Sequence, residues 1–239
     1  MTEIARRELL QGASALGLAF ALGSHASAQT QAAGQGSVYL FFTETEAQFI
    51  EAAVERLIPS EPEWPGARAV GVPYYIDLQL AGPYGRGDRL YLRGPFAVGL
   101  PGQGYQLALT PAQLYRTSLA AIAREFGPST PFASLTDADK DRFLRRLEAG
   151  ELTIDGFSSA IFFETLLANT IEGYFADPAY GGNRDMASWR MIGFPGAFAA
   201  YAAVYTRHGL KFDRAPMAMA EVAHHDDHHA APATAGAAR

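Results

Sequence analysis

The chain has 239 residues, no cysteine and a formal net charge of −6. The missing cysteines exclude a disulfide framework, a thiolate nucleophile, an iron–sulfur cluster and covalent haem attachment. The acidic balance argues against nucleic acid as a partner and against direct binding to an anionic membrane surface.

The N-terminal residues 1–28 have the pattern of a twin-arginine signal peptide. Arg6 and Arg7 precede a short apolar stretch, Gly12 to Leu22, and Ala26 and Ala28 fit a small-residue cleavage site. The apolar stretch falls short of the roughly 20 residues that a transmembrane helix needs. Its glycines and serine make it only mildly apolar, which favours the twin-arginine route over the alternative, an ordinary secretory signal. We therefore expect export to the periplasm.

Composition divides the rest of the chain into three parts. Residues 29–37 form a Gln/Ala/Gly linker, residues 38–215 a single helical domain, and residues 216–239 a disordered Ala/His-rich tail. The expected fold is mostly α, an irregular helical domain with long Gly/Pro-rich loops and little or no sheet.

Helix start signals recur along the domain. Thr43 with Glu46, and Thr110 with Gln113, predict capping boxes, and Thr136 with Asp139 predicts a further N-cap. The apolar segment from Phe157 to Tyr174 predicts a buried central helix. Shorter helices are expected over Val70–Leu80 and Ala197–Tyr205. Between the second and third helices, residues 82–104 predict a long irregular loop that packs against its own domain or another protein.

Residues 177–185 are the densest group of polar residues. Asp177 and Asp185 flank Arg184, and a Gly-Gly pair permits close backbone approach. In an enzyme these residues would supply general acid–base carboxylates and an anion-binding arginine. The structural alternative is a turn in which Arg184 pairs with one of the acids, covered by Tyr180 and Trp189.

Histidines cluster in the C-terminal tail and almost nowhere else. His224, His225, His228 and His229 have the chemistry of metal ligands, but nothing in the sequence indicates a second shell that would orient them. A metal-handling tail and a simply solvated tail are the two readings. We predict no metal site in the folded body.

Three blocks of sequence, in order, resemble the gluconate 2-dehydrogenase subunit 3 family. They are Arg56–Asp77 with its PGAR and GVPYYID motifs, Thr170–Asn183 with TIEGYFADP and YGGN, and Trp189–Gly196 with WRMIGFPG. The similarity extends over about residues 38–196.

The resemblance implies a non-catalytic small subunit of a membrane-bound dehydrogenase complex. In such complexes FAD resides in a large subunit of the glucose–methanol–choline type, and haem c in a multihaem cytochrome subunit that reduces quinone. The resemblance implies no cofactor and no catalytic residue in this chain, and membrane contact only through the complex. The small subunit would carry the folded flavoprotein through the twin-arginine route and stabilise it. Substrates of similar complexes include gluconate, fructose and sorbitol.

A subunit of this kind needs a docking surface, and aromatic and arginine side chains are the usual anchors of protein interfaces. The candidates lie in loop 82–104 and near the Gly-Gly turn; packing within the chain is the alternative for each. They are Tyr84, Tyr91, Arg93, Phe96, Tyr180, Gly181, Gly182, Asn183, Arg184 and Trp189.

Overall fold

The structure is a computed structural model that describes residues 38–97, 99, 106–127, 129–197, 206–207, 209 and 214–220. The elements below all belong to the unit Tyr39–Arg239. The signal-peptide residues, the linker, the histidine cluster and most of the helix expected over Ala197–Tyr205 lie outside the described residues.

The described part is mostly α-helical, as the sequence predicts. Its α-helices are α1 (Glu44–Leu57), α2 (Val72–Ala81), α3 (Pro83–Arg86), α4 (Pro111–Phe126), α5 (Asp137–Glu148), α6 (Ser159–Phe175) and α7 (Ala187–Ile192). Short 3-10 helices cover Phe132–Ser134, Pro178–Tyr180 and Arg184–Met186. The strands β1 (Thr153–Ile154) and β2 (Phe157–Ser158) pair antiparallel, Thr153 opposite Ser158.

The three predicted N-caps are confirmed. The hydroxyl of Thr43 accepts from the N–H of Glu46, whose side chain accepts from the N–H of Thr43 in return. Thr110 and Gln113 form the same capping box at α4, and Thr136 caps α5. Each cap satisfies backbone donors that the first turn of a helix leaves free, so these residues fix where the helices begin.

The start of the central helix is corrected by two residues. Phe157 and Ser158 form β2, and α6 begins at Ser159 with Ser158 as its N-cap. The strands are joined by Asp155 and Gly156, both with positive φ. An Asp-Gly pair between apolar residues is a strong signal for a two-residue hairpin, and it competes here with the helical pattern that follows.

Helix α6 lies at the centre of the fold. It contacts α1, α2, α4, α5 and α7, and Phe162 and Leu166 on it are fully buried. Tyr115 of α4 packs edge-on against the Phe162 ring, with 5.3 Å between the ring centroids. The same core includes Ile50 and Val54 of α1.

The folded part extends beyond residue 215, where the tail was expected to begin. Met217 forms a parallel bridge with Gly196, donating its N–H to Pro195 and accepting from Ala197. Ala218 is buried with Met186 and Trp189. Met217 and Ala218 therefore lie against the turn and helix that follow α6.

Within the described residues, no helix is both long and apolar enough to cross a membrane.

Candidate functional site

The Gly-Gly turn docks onto the start of α2. The N–H of Arg184 donates to the carbonyl of Val70 at 2.9 Å, and its Nη1 donates to the carbonyl of Ala69 at 3.3 Å. A Cβ on Gly182 would fall on the carbonyl oxygen of Gly173 in α6. Glycine is thus required at Gly182 because two backbones meet there.

Two of the predicted interface residues are used inside the domain. Asn183 is fully buried; its Nδ2 donates to the carbonyl of Ala176 at 2.9 Å, and its Oδ1 accepts from the N–H and hydroxyl of Ser188. Trp189 is buried and donates its Nε1–H to the carbonyl of Phe175 at 2.8 Å. Their contacts hold the turn and α7 against the end of α6.

The hydrogen bonds of Asp177 and Arg184 run to different parts of the backbone. Asp177 accepts from the N–H of Ala179 and from the N–H of Met219, at 2.9 and 2.8 Å. Among the ion pairs of the described residues, none joins Arg184 to Asp177 or Asp185. The arrangement is that of a cap and a backbone clamp, without the coupled carboxylates and arginine that acid–base chemistry would use.

The other aromatic and arginine residues of the predicted interface are exposed, whereas Gly182 is buried and Gly181 is partly buried. Tyr91 has 82% of its surface accessible, Tyr180 51% and Tyr84 36%, and Phe96 and Arg93 are also exposed. Tyr91, Arg93 and Phe96 lie in the irregular segment after α3. Tyr84 lies within α3 itself, a one-turn helix that the sequence analysis assigned to loop.

Tyr84 belongs to a hydrogen-bonded cluster that the sequence analysis missed. The hydroxyl of fully buried Tyr115 donates to Oδ1 of Asn169 at 2.9 Å, and the hydroxyl of Tyr84 lies 3.3 Å from the same oxygen. Nδ2 of Asn169 donates to Oε2 of Glu172 at 3.1 Å. The signal was an asparagine inside an apolar helix, which needs partners when it is buried.

Burial raises the pKa of the tyrosines of this region above the ordinary value near 10. It raises the pKa of Tyr75 to about 12, with the nearby Glu172 carboxylate adding to the effect. Burial also raises the pKa of Tyr84, and that of Tyr115 well above its usual value, again with help from Glu172. At neutral pH these phenols are neutral hydrogen-bond donors.

Four tyrosines and one carboxylate lie in the same region of the fold, around the start of α2 and the end of α6, and we call this group the tyrosine face: Tyr74, Tyr75, Tyr84, Tyr180 and Glu172. Besides burial, Glu172, Tyr84 and Tyr180 lie near enough to raise the pKa of Tyr75. Tyr74 lies against Gly181, next in sequence to Tyr180, so closely that a Cβ there would lie 2.9 Å from the Tyr74 ring. The fold thus brings together Tyr84 and Tyr180, which are far apart in sequence.

The surface also contains an apolar cavity, separate from the tyrosine face. A cavity of about 320 Å³ lies between α1, α4 and the 3-10 helix at Phe132, with walls formed by Phe49, Leu119, Ile122, Phe126 and Phe132. Of the polar residues at its rim, Glu46 is already bonded to Arg116 and Thr43. No set of polar groups converges there, so the cavity lacks the orienting contacts of a substrate site.

Asp77, inside the family-like GVPYYID block, is fully buried in α2. Its carboxylate accepts three backbone N–H bonds, from Leu40, Phe41 and Phe42, at 2.7, 2.9 and 2.8 Å. Convergent backbone donors of this kind stabilise a carboxylate without a cation. Asp77 thereby fixes the first residues of the domain onto its core.

The described residues contain no group of three or more His, Cys, Asp or Glu side chains placed to hold a metal ion. The weak candidates His224, His225, His228 and His229 lie outside them, as do the export-signal residues Arg6, Arg7, Ala26 and Ala28.

The fold and the tyrosine face define a helical protein with the surface composition of a protein-binding subunit. The family model for gluconate 2-dehydrogenase subunit 3 matches residues 44–196, and the chain therefore belongs to that family. The family name designates a subunit of a gluconate 2-dehydrogenase complex. No curated protein and no solved structure shows significant similarity to the chain.

Proposed function

We propose that this chain is the non-catalytic small subunit of an exported dehydrogenase complex. It binds an FAD-containing large subunit of the glucose–methanol–choline type and carries it, folded, through the twin-arginine route to the periplasm. The complex is held at the inner membrane with a multihaem cytochrome c, and FAD and haem c belong to those partners. The chain itself holds neither group.

The observation that carries this proposal is the tyrosine face. Tyr84 and Tyr180 expose amphipathic rings, and the hydroxyl of Tyr84 is bonded to Asn169, so this side chain loses little freedom when a partner binds. Family membership supplies the kind of partner. The sequence, which has no cysteine, supports a binding role because it provides no thiolate chemistry.

The export role is tested by replacing Arg6 and Arg7 with lysine in cells that also produce the flavoprotein. We expect both proteins to remain in the cytoplasm, since the lysine pair lacks the feature that identifies the signal. The measurement is flavoprotein and bound FAD in the periplasmic fraction. A matched control replaces the adjacent arginines Arg145 and Arg146 of α5 by lysine, which keeps their charge and leaves the signal intact. Periplasmic flavoprotein at normal levels in the Arg6/Arg7 variant would refute the escort role.

The alternatives make different predictions. An independent enzyme that used Asp177, Arg184 and Asp185 would turn over a substrate when purified alone and lose that activity in Asp185→Ala. Asp185 is exposed but has a positive φ, which alanine adopts less readily than aspartate, so circular dichroism of the variant must show the unmodified fold. A metal-handling function would disappear with residues 224–229. The geometry around Asp177 and Arg184 does not favour the enzyme alternative over the binding role.

A further inference from the structure

The acidic residue at the centre of the tyrosine face has no cationic partner. Glu172 is exposed on α6, and it accepts a hydrogen bond from the neutral side-chain amide of Asn169. No Lys, Arg or His among the described residues lies within ion-pair distance of it, whereas Glu46, Glu51 and Asp141 each pair with an arginine. Its surroundings are aromatic instead.

We infer that Glu172 and the tyrosines around it form a binding site for an arginine side chain of the flavoprotein subunit, an inference that rests on the proposed function. A guanidinium can donate two parallel N–H bonds to a carboxylate and stack its flat face on phenol rings. A lysine ammonium is a point charge and matches this arrangement less well.

The carboxylate is held in place before the partner arrives. Asn169 Nδ2 bonds Oε2 of Glu172, and Asn169 is itself fixed by the hydroxyls of Tyr115 and Tyr84. The network ends at fully buried Tyr115 in α4, so the orientation of the carboxylate is set by the core. Such preorganisation lowers the entropy lost on binding.

The charge of the surroundings also favours a cation. The phenols next to Glu172 are neutral at neutral pH, since a tyrosine has a pKa near 10 even without burial, so Glu172 is the carboxylate of a face that is otherwise uncharged. The formal net charge of the chain is −6, which steers a cationic surface toward it over longer distances.

The test compares Glu172→Gln with Glu164→Gln in the full chain, purified with and without the flavoprotein subunit. Glutamine keeps an oxygen that can accept from Asn169, so the fold should be preserved while the charge is lost. We expect the dissociation constant of the complex to rise at least about 30-fold for Glu172→Gln. Glu164, exposed on the same helix, has no contact with the tyrosine face, and its variant should bind as the unmodified chain does.

A second measurement does not depend on how Glu172→Gln folds. Benzoylphenylalanine in place of Tyr180 is photo-cross-linked to the flavoprotein, and the captured peptide is identified by mass spectrometry. We expect a flavoprotein peptide with an arginine beside the cross-linked residue, and substituting that arginine by glutamate should weaken binding unless Glu172→Arg is also present.

The possible outcomes distinguish a failure of the arginine site from a failure of the proposed subunit role. Unchanged affinity in Glu172→Gln, or a captured peptide without arginine or from a second copy of this chain, would overturn the arginine site and leave the subunit role standing. No complex between the unmodified chain and the flavoprotein would overturn the subunit role, and the arginine site with it.

Discussion

Asp77 connects the first residues of the domain to its core through one carboxylate. Removing it in Asp77→Ala leaves three backbone donors, of Leu40, Phe41 and Phe42, without their acceptor. We expect the free energy of unfolding to fall by about 3 kcal/mol, measured by urea denaturation, because bonds to a buried charged group are strong and orphaned donors are costly.

Two further variants sharpen this prediction. In Asp77→Asn the retained oxygen can accept from Phe41 and Phe42, but an NH₂ group would face the N–H of Leu40, so we expect a smaller loss of about 1–2 kcal/mol. Asp88→Ala, which removes an exposed partner of Arg86, should cost less than about 0.5 kcal/mol. Equal losses of stability in Asp77→Ala and Asp88→Ala would contradict a stabilising role for the three hydrogen bonds that Asp77 accepts.

The buried phenols predict a loss of stability at alkaline pH. In the unfolded chain a tyrosine has a pKa near 10, whereas in the folded chain burial raises the pKa of Tyr75 to about 12 and that of Tyr115 well above 10. The folded state therefore keeps protons that the unfolded state releases, so this contribution is fully present below pH 10 and declines as pH rises from 10 toward 12. Urea denaturation across that range measures it, and Tyr75→Phe should make the decline shallower. An identical slope in that variant would show that Tyr75 does not contribute.

At the scale of elements, helix propensity and side-chain packing predict opposite effects on stability for a substitution of Gly173 in α6. Alanine is favoured over glycine by about 1 kcal/mol inside a helix, so propensity alone predicts that Gly173→Ala stabilises α6. A Cβ there would lie 2.6 Å from Cδ1 of Tyr75, which is closer than atoms can approach. We expect a net loss of about 1–3 kcal/mol because Tyr75 must move.

Ala168→Gly, at an exposed position of α6, isolates the propensity term and should cost about 1 kcal/mol. If Gly173→Ala instead raised stability, the close packing of Tyr75 on α6 would be wrong. A loss of affinity for the flavoprotein in the same variant would further connect this packing to the tyrosine face.

Elements with local signals could be predicted from sequence, and those that depend on distant contacts could not. Thr43, Thr110 and Thr136 determine helix starts through residues three positions away, so their spacing was sufficient. The Asp155-Gly156 hairpin also had a local signal, which the apolar run after it outweighed. Asp77 and Asn169 differ: Asp77 bonds residues 35 to 37 positions away, and Asn169 bonds tyrosines 54 and 85 positions away, and no periodic pattern encodes such pairs.

The same distinction applies to the candidate site: some of its residues could be predicted from local sequence, but their grouping in space could not. Aromatic residues near glycines indicated Tyr84 and Tyr180 as interface candidates; both are exposed in the structure, and their role at an interface stays a prediction. That they share a face with Tyr75 and Glu172 follows from the close contact of the Gly-Gly turn with α2 and α6, which sequence spacing does not show. The same contact buries Gly182 and Asn183 and leaves their role structural in the free chain.

At the scale of the whole molecule, residues 214–220 attach the C-terminal part of the described chain to the domain, as Asp77 attaches its first residues. Residues 214–220 bond to Pro195, Ala197 and Asp177 and bury Ala218 beside Trp189. A chain that ends at Asp213 loses three hydrogen bonds and this apolar contact. We expect its free energy of unfolding to fall by about 2 kcal/mol or more, because Trp189 and the Asp177 cap become exposed.

A chain that ends at Ala220 keeps all of these contacts while lacking His224, His225, His228 and His229. We expect it to unfold at the same urea concentration as the full chain and to bind the flavoprotein with the same affinity. Comparing the two truncations therefore places the boundary of the folded domain and tests the histidine cluster together. If the chain ending at Ala220 lost flavoprotein binding while keeping its stability, the histidine segment would be part of the interface, and the tyrosine face would not be sufficient.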